Sequence, residues 1–312
     1  MKQQASAFSP ASVGNVSVGF DLLGHALVGL GDIVTARRSD STGVRINAVT
    51  GLPLALPQEA ADNTAGRAVI SLLQAVGVDF GVDLQLHKGI PLGSGLGGSA
   101  ASATAAVVAC NALLESPLSR RQLYPHALAG EAVASGSAHG DNIAPQLLGG
   151  LVLAAGDQLI ELPVPDGLMA VVVHPDHVVE TRRAREPLQQ PFMLADIVAQ
   201  QANLARVLCG CYRNDTALIG TGLNDVLVEP RRAALIPGFE RVRQAARDHG
   251  ALGAGISGAG PSVFAWFDAP ASGQAEAAGQ AMQQGFLQAG LDSQLLISPV
   301  AAPGARLLED SA

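Results

Sequence analysis

Residues 91–100 read Pro91-Leu-Gly-Ser-Gly-Leu-Gly-Gly-Ser-Ala100. Closely spaced glycines reach backbone conformations closed to other residues and leave amide N–H groups uncovered. Upstream, Val82, Leu84 and Leu86 alternate with polar residues at the two-residue period of a strand. Downstream the chain turns alanine-rich, and a helix is predicted over 99–114. Strand, glycine loop and helix start together present free amides and the positive end of a helix dipole, which suits phosphate. The same order also serves a plain, tight strand-to-helix connection. A P-loop requires Gly-x-x-x-x-Gly-Lys-Ser/Thr, and no lysine follows these glycines. Gly93, Gly95 and Gly98 do match the Gly-x-Gly-x-x-Gly of dinucleotide-binding folds. That fold needs an acid at the end of a second strand, whereas Glu115 comes directly off the helix and precedes Ser116-Pro117.

Outward from the loop, Val44, Ile46 and Ala48 alternate as a strand does, and 151–155 and 169–173 are short apolar runs that read as buried strands. Helices are predicted over 63–76, 120–135, 193–212, 238–249 and 271–289, with Gly77, Gly250 and Gly290 where C-terminal caps belong. Strands alternating with helices place the chain between the α/β and α+β classes. Pro163 and Pro165, within 157–166, mark a boundary between domains over 1–160 and 161–312.

The 312 residues allow two ordinary domains. With 48% hydrophobic and 15% charged residues, disorder is excluded. A net charge of −8 leaves no general basic field for nucleic acid. No Lys/Arg block stands beside a helix to hold a membrane surface. The uncharged run from Gly89 to Leu114 is long enough to span a bilayer. Its glycine-packed start, Pro91, and the polar Ser99, Ser102, Thr104 and Asn111 make it a loop and a buried helix instead. The N-terminus lacks an apolar segment of the signal-peptide kind. Cys110, Cys209 and Cys211 are odd in number, and Cys209-Gly-Cys211 is too tight for a usual zinc knuckle. Three reduced thiols fit a cytoplasmic protein. The low charge and apolar bias allow a homodimer.

Several polar residues stand out from this apolar background. Asn15 and Asp21 lie in a glycine-rich segment, where such residues cap helices and form turns. Ser99 stands where an N-cap serine belongs. Glu131 sits on a predicted helix otherwise lined with Ala and Val, so it faces either solvent or a partner. His139, Asp141 and Asn142 crowd one glycine-bounded loop. Arg185 and Arg232 are either surface charges or bidentate donors for a carboxylate.

The motifs in series resemble the GHMP kinases, a family of small-molecule kinases. Pro-x-Gly-x-Gly-Leu-Gly-x-Ser-Ala-Ala over 91–101 is similar to their phosphate loop, except that Gly98 replaces the first of the usual two serines. Pro10-Ala-Ser-Val-Gly-Asn-Val-Ser-Val-Gly-Phe-Asp21 and Gly255-Ile-Ser-Gly-Ala-Gly-Pro-Ser-Val-Phe-Ala265 resemble the first and third family motifs. The first is close to the homoserine kinase form. So are His139-Gly-Asp-Asn-Ile-Ala-Pro145 with Gly149-Gly150, His174-Pro175 with Thr181-Arg-Arg-Ala-Arg185, and Glu229-Pro-Arg-Arg232 with Ile236-Pro-Gly238.

The resemblance implies a two-domain fold, N-terminally ribosomal S5 domain 2-like and C-terminally ferredoxin-like. It implies ATP and Mg²⁺, with phosphoryl transfer to the hydroxyl of L-homoserine as the expected activity and the active site between the domains. ATP would be held by Pro91, Leu92, Gly93, Ser94, Gly95, Leu96, Gly97, Gly98, Ser99 and Ala100, with Asn63 and Lys88 near the adenine and ribose. Ser99 and Glu131 would hold Mg²⁺. Asp21 would face the substrate ammonium and Asn15 would hydrogen-bond the substrate. His139, Asp141 and Asn142 would lie beside it, Arg185 and Arg232 would take its α-carboxylate, and Thr181 would orient its hydroxyl. The remaining readings are a kinase for another alcohol, an inactive ATP-binding module, and a dinucleotide oxidoreductase.

Overall fold

The computed structural model describes residues 2–52, 56–135, 139–269, 271 and 273–309. A long antiparallel pair opens the chain, β1 (Gln4–Gly14) and β2 (Leu23–Ser39). β3 (Val44–Thr50), α1 (Thr64–Val76), β4 (Gly81–His87), α2 (Gly98–Asn111), α3 (Arg120–Ser135), α4 (Gly140–Leu148), β5 (Leu151–Ala155) and β6 (Gln158–Leu162) follow. Strands β1, β2, β4 and β3 lie side by side, with β3 parallel to β4. β5 joins the start of β2 and carries β6.

Helix α2 explains the alanine-rich stretch. Every residue from Ala100 to Cys110 is buried. It packs against α1, α3, α4, β1 and β2 at once. A helix enclosed on all sides shows no apolar stripe, and small side chains let several neighbours approach its backbone. It begins one residue earlier than predicted and ends at Asn111. Its N-cap is Gly97, in the left-handed conformation at φ 70°, so Ser99 is not the cap.

The second layer is β7 (Met169–Pro175), α5 (Thr181–Arg185), α6 (Leu194–Arg213), α7 (Thr216–Gly222), α8 (Glu229–Arg232), α9 (Phe239–Asp248), β8 (Gly253–Ile256), β9 (Val263–Phe267), α10 (Gln274–Leu287) and β10 (Ser293–Pro299). Its sheet has the order β10-β7-β9-β8, all antiparallel, with α9 and α10 packed together against it. This is the ferredoxin-like arrangement. β6 occupies part of the proline-bearing segment 157–166 that the sequence marks as a boundary, so the first layer runs to Leu162. After β10 the chain returns, and β11 (Arg306–Leu307) pairs with β1.

One apolar cluster joins the layers. Val13, Leu23 and Leu27 of the first pack with Ala170, Val172, Phe264 and Trp266 of the second. Within it, Trp266 donates its indole N–H to His25 Nε2 at 3.2 Å. Burial lowers His25 to about 4, so the ring stays neutral and able to accept.

Candidate active site

Three glycine-bearing segments meet where the layers face one another. The loop over 91–97 turns the carbonyls of Gly93, Ser94 and Gly95 toward the second layer. Ser94 O accepts from the amide (3.2 Å) and hydroxyl (2.7 Å) of Ser262, and Gly95 O from the Ser257 hydroxyl (2.8 Å). The Gly258 amide donates to Gly14 O at 3.0 Å, tying the third segment to the first. Gly93, Gly95 and Gly97 all have φ between 63° and 76°. Closeness matters as much as conformation at Gly95, where a Cβ would stand 2.4 Å from Ser257 O and 2.7 Å from Gly260 O. Carbonyls occupied on one side leave loop amides for a ligand on the other.

The cleft beside this loop is lined by Pro91, Leu92, Gly93, Ser94, Gly95, Gly97, Gly98 and Ser99. It also takes in Asn15, Glu131, His139, Asp141, Asn142, Thr181, Arg185 and Arg232. The structure thus brings together Asn15, just past β1, with residues from α2, α3, α4, α5 and α8. Leu96 and Ala100 are buried beneath it. Asn63 and Lys88 are not among its lining residues. Asn63 caps α1, accepting from the amides of Ala65 (3.0 Å) and Gly66 (3.4 Å) while donating to Pro57 O (2.8 Å). Lys88 is buried under the loop, its ammonium on Gly98 O at 2.6 Å.

At one end Ser99 hydrogen-bonds Glu131, whose carboxyl is pushed up to about 7 chiefly by burial. A buried carboxyl beside a hydroxyl at a phosphate loop suits Mg²⁺, which takes few protein ligands and completes its shell with phosphate oxygens and water. No group of three or more His, Cys, Asp or Glu side chains among the described residues could enclose a metal by itself. The donor set fits a cation that arrives with its phosphates.

At the other end charged groups converge. Arg185 grips Asp21 through two nitrogens, and His139 Nδ1 stands 3.3 Å from the same carboxylate. Burial lowers His139, against the pull of Asp21. Asp141 is pushed up to about 7, first by burial and then by the charge of Asp21. It accepts from the Asn15 amide at 3.2 Å. The Asn15 side chain donates to Gly258 O (2.7 Å) and accepts from the Asp21 amide (2.9 Å). Asn15 thus braces the first and third segments and also lines the cleft where the sequence suggests a substrate ligand. Arg232 donates to Ala184 O (2.8 Å) and Gly258 O (3.1 Å). Burial lowers it to about 10, so it stays charged at neutral pH.

Sequence reasoning missed Glu229 as a site element. Its carboxyl accepts from the Ile256 amide at 2.8 Å, at the mouth of the third segment. With Arg232 on Gly258 O, helix α8 thereby holds that segment at two points. The motif Glu-Pro-Arg-Arg was visible, but nothing local indicated what the glutamate holds. The same is true of Asp32 and Val179. The Val179 amide reaches Gly93 O at 3.4 Å and brings α5 over the loop.

Known proteins match along the whole chain. Residues 63–150 match the N-terminal domain of the GHMP kinases, and 206–286 match the GHMP kinase C-terminal domain. The chain belongs to the GHMP kinase family. It is 57% identical to the homoserine kinase of Xanthomonas campestris pv. campestris, over 98% of this chain and 94% of the relative. It is 41% identical to that of Chloroherpeton thalassium, over 98% of this chain and 100% of the relative. The crystal structure of homoserine kinase from Cytophaga hutchinsonii superposes with a TM-score of 0.94 at 44% identity, covering 99% and 98% of the two chains. Among the described residues no helix is long and apolar enough to cross a membrane.

Proposed function

We propose that this protein transfers the γ-phosphoryl group of ATP to the hydroxyl of L-homoserine, giving O-phospho-L-homoserine and ADP. One observation carries the reading. A phosphate loop shares one cleft with His139, Arg185 and Arg232, and Asp21, just outside the lining, pairs with His139 and Arg185. Paired opposite charges suit a zwitterionic amino acid, whereas a neutral polyol has no carboxylate for two arginines. Homoserine kinases at 41–57% identity support the same substrate.

Loop amides from 93 to 99 and the N-terminus of α2 hold the β- and γ-phosphates. Ser99 and Glu131 would hold Mg²⁺, which when bound offsets charge on the phosphate oxygens. Arg185 and Arg232 take the α-carboxylate and Asp21 takes the ammonium. Thr181, at the start of α5 and lining the cleft, orients the hydroxyl. The hydroxyl oxygen bonds to the γ-phosphorus as the bond to the β,γ-bridging oxygen breaks, and the hydroxyl proton passes to solvent. Positioning and electrostatics supply most of the acceleration, and no strong protein base is required. Three free thiols support work in a reducing cytoplasm.

The test is ADP release with Mg-ATP, comparing L-homoserine with L-serine, L-threonine, mevalonate and galactose. Turnover on homoserine at least tenfold above the others is expected. Preference for mevalonate or galactose would keep the family and overturn the substrate.

A further inference from the structure

Beneath the phosphate loop lies a buried ion pair that the phosphoryl-transfer scheme does not use. Asp32 and Lys88 have side chains only 1% exposed, and their charged groups are in contact. Asp32 comes from β2 and Lys88 follows β4. Asp32 Oδ1 accepts from the amides of Gly89 (3.0 Å) and Ile90 (3.1 Å), where the chain enters the loop. Asp32 Oδ2 accepts from the Ser102 hydroxyl at 2.8 Å. The Lys88 ammonium donates to Gly98 O (2.6 Å) and Ser102 Oγ (2.9 Å), in the first turns of α2. The pair thus holds the entry of the loop and its exit into the helix.

A carboxylate is the natural acceptor for two adjacent amides, since charge-assisted bonds are the stronger ones. Its charge is a liability in this place. It lies beside a site built to receive a triphosphate, in surroundings where Coulomb forces are weakly screened. The lysine is too deeply buried to reach a ligand, yet it brings the pair to net zero. We propose that Lys88 is a positioning residue whose role is to neutralise Asp32, so that a carboxylate can anchor the phosphate loop without repelling the nucleotide. The inference rests on the cleft being a nucleotide site.

The two charges make opposite predictions when removed singly. Lys88→Met leaves a net negative charge under the loop, and ADP affinity falls about tenfold or more. Asp32→Asn keeps an oxygen for the Gly89 and Ile90 amides but leaves a net positive charge, and ADP affinity holds or tightens. The double variant Lys88→Met/Asp32→Asn is neutral again and recovers most of what Lys88→Met loses. Calorimetric titration with ADP reads all three, and the melting temperature reports folding separately. A merely structural pair would weaken ADP binding with either single change, so Asp32→Asn separates the two roles. Loss of affinity in folded Asp32→Asn, or an unchanged affinity in Lys88→Met, overturns the proposal. If Lys88→Met does not fold, Asp32→Asn and the double variant still decide it, because the proposal requires both to bind ADP within about threefold of the wild type or more tightly. Failure of the wild type itself to bind ADP would instead remove the nucleotide site and the proposal with it.

Discussion

Arg185 and Asp21 face one another with matched forks, Nη2 to Oδ1 at 2.8 Å and Nη1 to Oδ2 at 3.2 Å. The Asp21 backbone is in the left-handed region at φ 59°, where its N–H donates a hydrogen bond to Asn15 Oδ1. A zwitterionic amino acid offers each member of this pair a replacement partner, a carboxylate for Arg185 and an ammonium for Asp21. One internal ion pair is then exchanged for two external ones. A ligand bearing only one of the two charges strands a half-buried group.

Arg185→Leu should raise the KM for homoserine about a hundredfold or more, from loss of a charge-assisted bidentate contact. The KM for ATP should stay within about threefold, since the Arg185 hydrogen bonds go to Asp21. Arg185→Lys should recover little, because a single ammonium cannot reproduce the fork. Steady-state kinetics on both substrates checks this, and a parallel rise in both KM values would contradict it.

Gly95→Ala tests the loop. The new methyl would meet the carbonyl oxygens of Ser257 and Gly260 inside contact distance, on a backbone at φ 76°. Strain at a non-glycine left-handed position is about 1–3 kcal/mol before the clash is counted. A lower melting temperature and a raised KM for ATP are expected together. An alanine variant with wild-type ATP kinetics would show that the loop does not need this closeness.

Glu229 links stability to pH. Its carboxyl is pushed up to about 8, first by burial and then by the charge of Asp225. The folded state keeps this proton while the unfolded chain releases it near pH 4.5. Stability from this group is therefore present below about pH 4.5 and is lost as pH rises toward 8, at about 1.4 kcal/mol per pH unit. Glu229→Gln keeps the acceptor for the Ile256 amide and removes the titration. Its melting temperature relative to wild type should climb between pH 5 and pH 8. A constant difference across that range would mean that Glu229 ionises as an exposed glutamate does.

His25 acts in the opposite direction. Held neutral down to about 4 in the fold, it ionises near 6.5 when unfolded. Its contribution is whole above about pH 6.5 and is lost as pH falls toward 4. The chain has one tryptophan, Trp266, so intrinsic fluorescence reads the contact directly. Native fluorescence should show no histidine-like step near pH 6.5. A quenching step there would place a charged imidazole beside the indole.

Elements with a strong local signature were legible in the sequence. β3, β4 and the helices α1, α3, α6, α9 and α10 follow from local pattern, with Gly77 at the C-cap of α1 as expected. β1 was not legible, because Gln-Ala-Ser-Ala-Phe-Ser-Pro-Ala-Ser-Val-Gly has few strongly β-prone residues. It forms through long pairing with β2, a tertiary effect invisible to a local window. The residues expected at the site came from motif order, and most of them line the cleft. Lys88 sits apart from the cleft because Asp32, distant in sequence and unremarkable in context, captures its ammonium. A single sequence names charged residues but does not say which of them neutralise each other.

The return of the chain to β1 has a consequence for how the molecule is made. Ala7 pairs with Leu307 and Phe8 with Arg306. Nearby, the Ala305 amide donates to Gln146 O, and Arg120 to Ala305 O. During synthesis the first layer must wait, with one strand edge open, until residues 305–307 emerge to cover it. An unfinished chain therefore carries an exposed edge beside a nearly complete loop. The first layer is thus completed only after the second has been made, and loss of residues 305–307 would be felt at β1.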